Sequence, residues 1–256
     1  MIATAAKGFA KRVTEYEAGR PEYPDALLDD LPLMGAGALL DLGAGTGKFT
    51  KVLADRIADS KGGRRPRLFA VEPVAEMAER LAGRGLPVEL RAGSAEAIPL
   101  PDGAVDLVCC AQAFHWFDYE PASAEIHRVL APGGHLALVW NIRDERVPWV
   151  AALTKLFDRY AGNVRRYASG AWRRILEDAR FRLVRTSHHD FRYAMGRTGL
   201  YDRVFSTSFI AALPASEQAA VRVEVNRLMA DHPEILASGT VEFPYVCELH
   251  LLQRIG

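Results

Sequence analysis

The sequence carries no excess of charge of either sign, because 32 lysines and arginines balance 32 aspartates and glutamates in 256 residues. A protein that binds nucleic acid through its phosphates needs a basic surface, so this balance argues against nucleic acid as a partner. The sequence also lacks an apolar run long enough to span a membrane, and its first residues lack the continuous apolar core of a secretory signal. We therefore expect a cytoplasmic protein that binds neither nucleic acid nor a membrane.

Cysteine is scarce, with three residues in the chain. Cys109 and Cys110 are adjacent in an apolar run, which indicates small buried strand residues and not a disulfide framework or a metal site. The run HHD at 188–190 has the composition of a metal cluster, but consecutive residues of a strand point to opposite faces of the sheet. The sequence therefore predicts no metal site.

Short apolar runs alternate with amphipathic segments through the first two thirds of the chain. Buried strands are predicted at 38–43, 67–72, 87–93, 104–111 and 135–140, with helical apolar spacing between most of them. This alternation predicts right-handed βαβ units and a mostly parallel sheet with helices on both faces. Ligands of such sheets bind at the carboxyl ends of the strands, near the point where the strand order switches.

The last third of the chain is richer in helix. Helices are predicted at 147–160, at 198–213 and around 221–229, and strands at 181–193 and 241–254. The sequence contains no internal repeat and no low-complexity linker. We therefore predict one α/β fold with helical additions that cover a substrate pocket.

The stretch LLDLGAGTGKFT at 39–50 places glycines at every second position between a predicted strand and a predicted helix. A triphosphate-binding loop, G-x-x-x-x-G-K-S/T, is excluded because Leu42 stands at its first glycine and Phe49 at its magnesium-binding hydroxyl. A dinucleotide loop, G-x-G-x-x-G, is disfavoured but stays open, because Gly47 comes one residue early. Glycine lets the backbone turn sharply and approach a ligand, so the stretch predicts a ligand-binding turn.

Three further stretches accompany DLGAGTG (41–47), namely YEAGRPEYP (16–24), GSAEAIPLPDGAVDLV (93–108) and AFHWFD (113–118). Together they resemble the class I S-adenosylmethionine-dependent methyltransferases. Within that family, they are similar to the small-molecule subgroup that includes the trans-aconitate and ubiquinone/menaquinone-type enzymes, methyltransferase type 11. The resemblance spans nearly the whole chain and is strongest from 38 to 140.

The resemblance implies an α/β fold with a doubly wound, mostly parallel, seven-stranded Rossmann-like sheet and an added helical cap. It implies one domain, 1–256, whose expected parts are an N-terminal helical lid (1–35), a cofactor-binding core (36–142), a helical cap with the substrate region (145–235) and a C-terminal strand that completes the sheet (241–254). The implied cofactor is S-adenosyl-L-methionine, with S-adenosyl-L-homocysteine as product. The implied reaction is in-line methyl transfer to a small-molecule acceptor, with O-methylation favoured and C- or N-methylation possible, by a monomer or homodimer.

The resemblance also implies cofactor contacts. The glycine loop packs against the methionine end, where Asp41 organises the polar contacts. Glu72 ends a strand, where a carboxylate can accept both ribose hydroxyls, although a surface glutamate stabilised by the next helix is the alternative. Ser94 stands where the family often has aspartate, and it is expected to bond the adenine amino group. The expected cofactor set is Tyr16, Arg20, Asp41, Gly43, Ala44, Gly45, Gly47, Glu72, Pro73, Ser94, Ala95, Glu96, Gln112 and His115.

Some of these residues carry more specific expectations. The backbone of Gln112 is implied to contact the methionine amino group, and Arg20 to pair with the cofactor carboxylate, although an exposed cation is an equal alternative. His115 is the candidate general base, because imidazole takes up a proton near neutral pH, with a structural role slightly preferred. The expected substrate pocket is lined by Trp116, Trp140 and Asn141.

Two other functions stay open at this stage. A protein with this fold can bind the cofactor and act as a partner subunit, or catalyse a reaction other than methyl transfer. A less favoured alternative is a nicotinamide-dependent oxidoreductase, which the glycine spacing disfavours without excluding.

Overall fold

One sheet of seven strands, in the order β3-β2-β1-β4-β5-β7-β6, organises the computed structural model, which describes residues 19–60, 65–162 and 167–256. Strands β1 to β5 pair in parallel, whereas β7 runs antiparallel to both β5 and β6. The predicted doubly wound, mostly parallel, seven-stranded sheet is thereby confirmed. The strands are β1 (Ala38–Leu42), β2 (Arg67–Glu72), β3 (Glu89–Ala92), β4 (Val105–Ala111), β5 (Leu130–Arg143), β6 (Phe181–Met195) and β7 (Val241–Arg254).

Helices cover both faces of the parallel half of the sheet. All five residues of β1 are buried, as expected of a parallel strand enclosed on two sides. Leu39 packs in the same cluster as Leu53 of α1, and Leu40 in the same cluster as Ile126 of α3. The described helices are α1 (Lys48–Asp59), α2 (Ala75–Ala82), α3 (Tyr119–Val129), α4 (Pro148–Ala161), α5 (Arg197–Phe205), α6 (Ser208–Ala211) and α7 (Ala215–Asp231).

The helices of the last third share a separate hydrophobic cluster with the ends of two strands. Buried side chains of α4, α5 and α7 pack against Met195 of β6 and against Val241, Phe243 and Tyr245 of β7. The single helix predicted at 198–213 is two helices, because Thr207 between them takes an extended conformation. Of these elements, α5 and β7 reach the carboxyl ends of the parallel strands, where Arg203 and Tyr245 line a cavity.

Candidate functional site

A cavity opens at the carboxyl ends of β1, β2, β4 and β5 and occupies about 890 Å³ with its open mouth included. The neighbours β1 and β4 meet where the strand order reverses, which is where open α/β sheets bind their ligands. Of the predicted residues, the cavity is lined by Arg20, Asp41, Gly43, Ala44, Gly45, Glu72, Gln112, Trp116 and Asn141. Tyr16 lies outside the residues that the structure describes.

The three glycines of the loop after β1 have different roles. Gly43 has a φ of 74°, and a Cβ there would lie 2.7 Å from the Cβ of Ala113. Gly45 has a φ of 57° and, like Gly43, lines the cavity. Gly47 lies outside the cavity wall, and a Cβ there would lie 2.2 Å from Cδ1 of Leu81. Gly43 and Gly45 therefore shape the ligand side of the loop, whereas Gly47 allows α1 and α2 to pack closely.

Asp41 contributes a carboxylate to the cavity wall, and one of its two oxygens accepts no hydrogen bond from the described residues. Its Oδ2 accepts a hydrogen bond from Thr50 Oγ1 at 2.6 Å, whereas its Oδ1 is buried and has no partner among the described residues. Burial and then the charge of Glu72 raise the pKa of Asp41 to about 7. A buried acceptor without a partner is unfavourable, so this oxygen suits a ligand that brings its own donor.

Glu72 holds the glycine loop and the start of the next helix together. Its Oε2 accepts the N–H of Gly45 at 2.8 Å, and its Oε1 accepts the N–H of Val74 at 2.9 Å. Only 2% of the residue is exposed, and burial raises the pKa of its carboxyl. A carboxylate has about four lone-pair positions, so Glu72 can accept ligand hydroxyls while it keeps both loop contacts.

Gln112, which follows β4, has a φ of 57°, a left-handed conformation that no other described non-glycine residue adopts. The strain of such a conformation is commonly found at functional sites. Its backbone N–H donates to the carbonyl of Val139 at 2.8 Å, and its Nε2 donates to the carbonyl of Asn141 at 2.9 Å. Oδ1 of Asn141 is buried without a partner among the described residues, and it forms a second open acceptor in the cavity wall.

The chain segment 19–23, which we call the strap, crosses the edge of the cavity. Lys48 Nζ donates to the carbonyl of Arg20 at 2.9 Å and pairs with Oε1 of Glu22 at 2.6 Å. Asn141 Nδ2 donates to the carbonyl of Glu22 at 3.0 Å. Three contacts, two from Lys48 and one from Asn141, thus hold the strap, whose Arg20 lines the cavity.

A narrower cleft of about 220 Å³ adjoins the cavity beyond the glycine loop. Gly43 and Phe117 line both spaces, so the two are direct neighbours. Glu96 Oε1 accepts the N–H of Asp118 at 3.0 Å, which ties the cleft to the start of α3. Four residues predicted to contact the cofactor line this cleft, namely Pro73, Ser94, Ala95 and Glu96.

Two predicted site residues, His115 and Trp140, are not among the residues that line the cavity. The indole N–H of Trp140 donates to Nδ1 of His115 at 3.2 Å. Burial and then the charge of Arg20 lower the pKa of His115 to about 3. Trp140 is fully buried and packs on Trp172 with ring centroids 4.4 Å apart, whereas its neighbour Asn141 faces the cavity.

Several cavity residues were absent from the sequence prediction, among them Lys48, Arg203 and Tyr245. The side chain of Lys48 is 13% exposed and anchors the strap. Arg203 of α5 and Tyr245 of β7 line another part of the wall, where Arg203 Nε donates to the Tyr245 hydroxyl at 2.6 Å. No local pattern marks these residues, because their partners lie far away in the sequence.

Within residues 19–60, 65–162 and 167–256, no group of three or more histidine, cysteine, aspartate or glutamate side chains is arranged to hold a metal ion. No helix in the same ranges is long and apolar enough to cross a membrane.

Known proteins match both the sequence and the fold. A family model described as a methyltransferase domain matches residues 40–138. An uncharacterised methyltransferase-like protein of Schizosaccharomyces pombe is 37% identical over 244 residues, which cover 93% of this chain and 92% of the relative. A proposed type II methyltransferase of Anaeromyxobacter dehalogenans shares the fold with a TM-score of 0.61 and 24% identity, over 91% of this chain and 96% of that one.

A second solved structure carries the cofactor itself. A geranyl diphosphate methyltransferase in complex with S-adenosylmethionine shares the fold with a TM-score of 0.50 and 19% identity, over 98% of this chain and 90% of that one. The glycine loop, the buried carboxylates and the adjoining cleft fit such a ligand by their own chemistry. The chain belongs to the class I S-adenosylmethionine-dependent methyltransferases.

Proposed function

We propose that this methyltransferase acts on a small-molecule acceptor, with oxygen favoured as the methylated atom and carbon or nitrogen as alternatives. The supporting observation is that the cavity is a recess bounded by several parts of the chain. The strap contributes Arg20 to its wall, and α5 and β7 contribute Arg203 and Tyr245. A recess of this kind suits a small ligand that is buried on most of its surface better than a polymer that lies on a protein face.

The charges of the cavity match the parts of the cofactor. We propose that Oδ1 of Asp41 accepts a hydrogen bond from the methionine ammonium group, because this oxygen is buried and open. Glu72 accepts the ribose hydroxyls through its remaining lone pairs, and Arg20 pairs with the cofactor carboxylate. The adenine occupies the cleft at Ser94 and Ala95.

When bound, S-adenosylmethionine supplies an activated methyl group for in-line displacement. The contribution of the chain is to align the acceptor, to hold both molecules and to exclude water. The sequence leaves two roles open for His115, a general base and a structural residue. Of these we propose the structural role. In neutral His115, Nδ1 accepts the hydrogen bond from the Trp140 indole N–H, so the ring proton is on Nε2. Neither ring nitrogen then has a free lone pair that could take a proton from the methyl acceptor.

Turnover of methyl-labelled S-adenosylmethionine tests the proposed function. The enzyme is incubated with labelled cofactor and either the small-molecule or the macromolecular fraction of a cell extract, with Asp41→Ala as the inactive control. We expect enzyme-dependent label in small molecules only. Label that enters the macromolecular fraction would contradict the small-molecule acceptor, and binding of the cofactor without any transfer would favour the partner-subunit alternative.

Release of the strap should weaken cofactor retention. In Lys48→Met the strap loses its ion pair and a backbone hydrogen bond, so we expect S-adenosylhomocysteine to dissociate about tenfold faster. The matched control is Lys51→Met on the same helix, where the lysine is half exposed and pairs with Asp55. Stopped-flow fluorescence measures both rates. Equal dissociation from the two variants would show that the strap does not retain the ligand.

A further inference from the structure

The cavity wall contains an arginine of α5 that pairs with no acidic residue in the described chain. Arg203 is 4% exposed and lines the cavity from α5. Its Nε donates to the Tyr245 hydroxyl at 2.6 Å, and its Nη1 donates to Thr207 Oγ1 at 3.3 Å. Both partners are neutral hydroxyl groups, so the positive charge of Arg203 is not compensated by these contacts.

A buried guanidinium of this kind calls for an anion. A guanidinium group has five N–H donors in a planar fork and no acceptor. The hydrogen bonds to Tyr245 and Thr207 use two of these donors. Because a buried charge without a counter-ion is strongly unfavourable, a ligand that supplies the negative charge would bind here with a large gain.

A second cation adds to the positive potential at this end of the cavity. Arg143 of β5 stacks on the ring of Phe157 at 4.7 Å and donates to Thr154 Oγ1 at 2.9 Å, again without a carboxylate partner in the described chain. Burial and then the positive charge of Arg203 lower the pKa of Arg143 to about 10, and Glu145 opposes this effect more weakly. Two guanidinium groups therefore repel each other close to the cavity.

The cofactor does not account for this charge. S-adenosylmethionine has one carboxylate, and Arg20 on the strap is the residue proposed to pair with it. The buried carboxylates of Asp41 and Glu72 line the same cavity, and they suit the ammonium and hydroxyl groups of the cofactor. Arg203 of α5 is therefore available to bind the methyl acceptor, which occupies the rest of the cavity.

We propose that the methyl acceptor carries a carboxylate group that binds to Arg203. A carboxylate matches the planar donor fork of a guanidinium in two parallel hydrogen bonds. The Tyr245 hydroxyl orients the guanidinium by accepting its Nε–H, and the tyrosine O–H can donate to the same carboxylate. This inference rests on the proposed function, because it assigns the acceptor class for the same cavity.

A carboxylate probe tests this assignment without turnover. Protein saturated with S-adenosylhomocysteine is titrated calorimetrically with succinate and with succinamide at equal ionic strength. We expect succinate to bind and succinamide to bind at least about tenfold more weakly. Arg203→Met should weaken succinate binding about 10- to 100-fold and leave the affinity for S-adenosylhomocysteine within about twofold.

Arg222→Met is the matched control, because Arg222 belongs to the same cap but is exposed and stacks on Tyr201 outside the cavity. It should bind succinate like the wild type. Tyr245→Phe keeps the ring and removes the hydroxyl, so it provides a second variant if Arg203→Met does not fold. We expect it to weaken succinate binding about threefold to tenfold with an unchanged affinity for S-adenosylhomocysteine.

Three results would overturn the assignment. The first is equal binding of succinate and succinamide by the wild type. The second is undiminished succinate binding in both cavity variants. The third is an equal loss of S-adenosylhomocysteine affinity in Arg203→Met, which would assign Arg203 to the cofactor carboxylate. Because succinate binding needs no methyl transfer, an enzyme that binds succinate as expected but methylates no small molecule would contradict the proposed function alone.

Discussion

Glu72→Ala is expected to lower the affinity for S-adenosylhomocysteine by about 100-fold or more, because it removes the charged acceptor proposed for both ribose hydroxyls. It also leaves the N–H groups of Gly45 and Val74 without their carboxylate partner, so the glycine loop loses its support. Isothermal titration calorimetry measures the affinity directly. Thermal unfolding of the same sample reports how much of the loss comes from the loop.

Two further variants distinguish the loss of the ribose contact from a general loss of folded structure. Glu72→Gln keeps the shape of the side chain, but its amide NH₂ must face one of the two backbone donors, so we expect an intermediate affinity. Glu76→Ala removes an exposed glutamate from α2 and should bind S-adenosylhomocysteine like the wild type. Wild-type affinity in Glu72→Ala would refute the assignment of Glu72 to the cofactor.

The affinity for S-adenosylhomocysteine should rise with pH through about 7, and the rise should depend on Asp41. Burial, followed by the charge of Glu72, raises the pKa of Asp41 to about 7 in the cofactor-free protein. Its carboxyl must release that proton before it accepts the ammonium group. Below pH 7 we therefore expect a loss of up to about tenfold in affinity per pH unit, measured calorimetrically, and a much flatter profile for Asp41→Asn.

The free energy of unfolding of the cofactor-free protein should fall as the pH rises, opposite to the cofactor affinity. The pKa of Asp41 is raised above its ordinary value of 3.8, so the folded state binds more protons than the unfolded state between these two pKa values. Stability therefore falls as the pH rises from about 4 to about 7, by up to about 4 kcal/mol for this group. Asp41→Asn should lose this component, whereas Asp55→Asn, an exposed control on α1, should retain it. Identical pH profiles for wild type and Asp41→Asn would contradict the raised pKa.

The local pattern of apolar and turn-forming residues was sufficient to predict most of the parallel half of the sheet. The strand predicted at 67–72 is observed as Arg67–Glu72, because a buried apolar run ends there at Pro73 and a helix. The strand β5 was predicted at 135–140 but runs from Leu130 to Arg143. The strand also includes residues 130–134, because Leu130 pairs with Val105 of β4. Pairing between strands thus set a boundary that composition alone did not indicate.

The candidate site could be predicted where it is built from chain that follows a strand. Gly43, Glu72 and Gln112 were located by this rule, and all three line the cavity. The prediction that Trp140 and Asn141 both line the pocket conflicts with the alternation of side chains along a strand, and the structure brings only Asn141 to the cavity.

The part of the site formed by α5, β7 and the strap was not predictable, because its contacts join residues that are distant in the sequence. The hydrogen bond between Arg203 and Tyr245 links α5 to β7 across 42 positions. Lys48 anchors a strap 26 positions away through Glu22. No periodicity or motif reports such pairs, since they arise from the docking of the cap and the strap on the sheet. The carboxylate acceptor that we propose therefore rests on the charges that the fold brings together.

The central claim is that the cavity at the ends of β1, β2 and β4 holds the cofactor. A crystal structure with bound S-adenosylhomocysteine would test this claim most directly. We predict ribose hydroxyls within about 3.2 Å of the Glu72 carboxylate, the ammonium group on Oδ1 of Asp41, and adenine in the cleft beside Ser94. A nucleoside bound elsewhere, with Oδ1 of Asp41 still lacking a partner, would contradict this account.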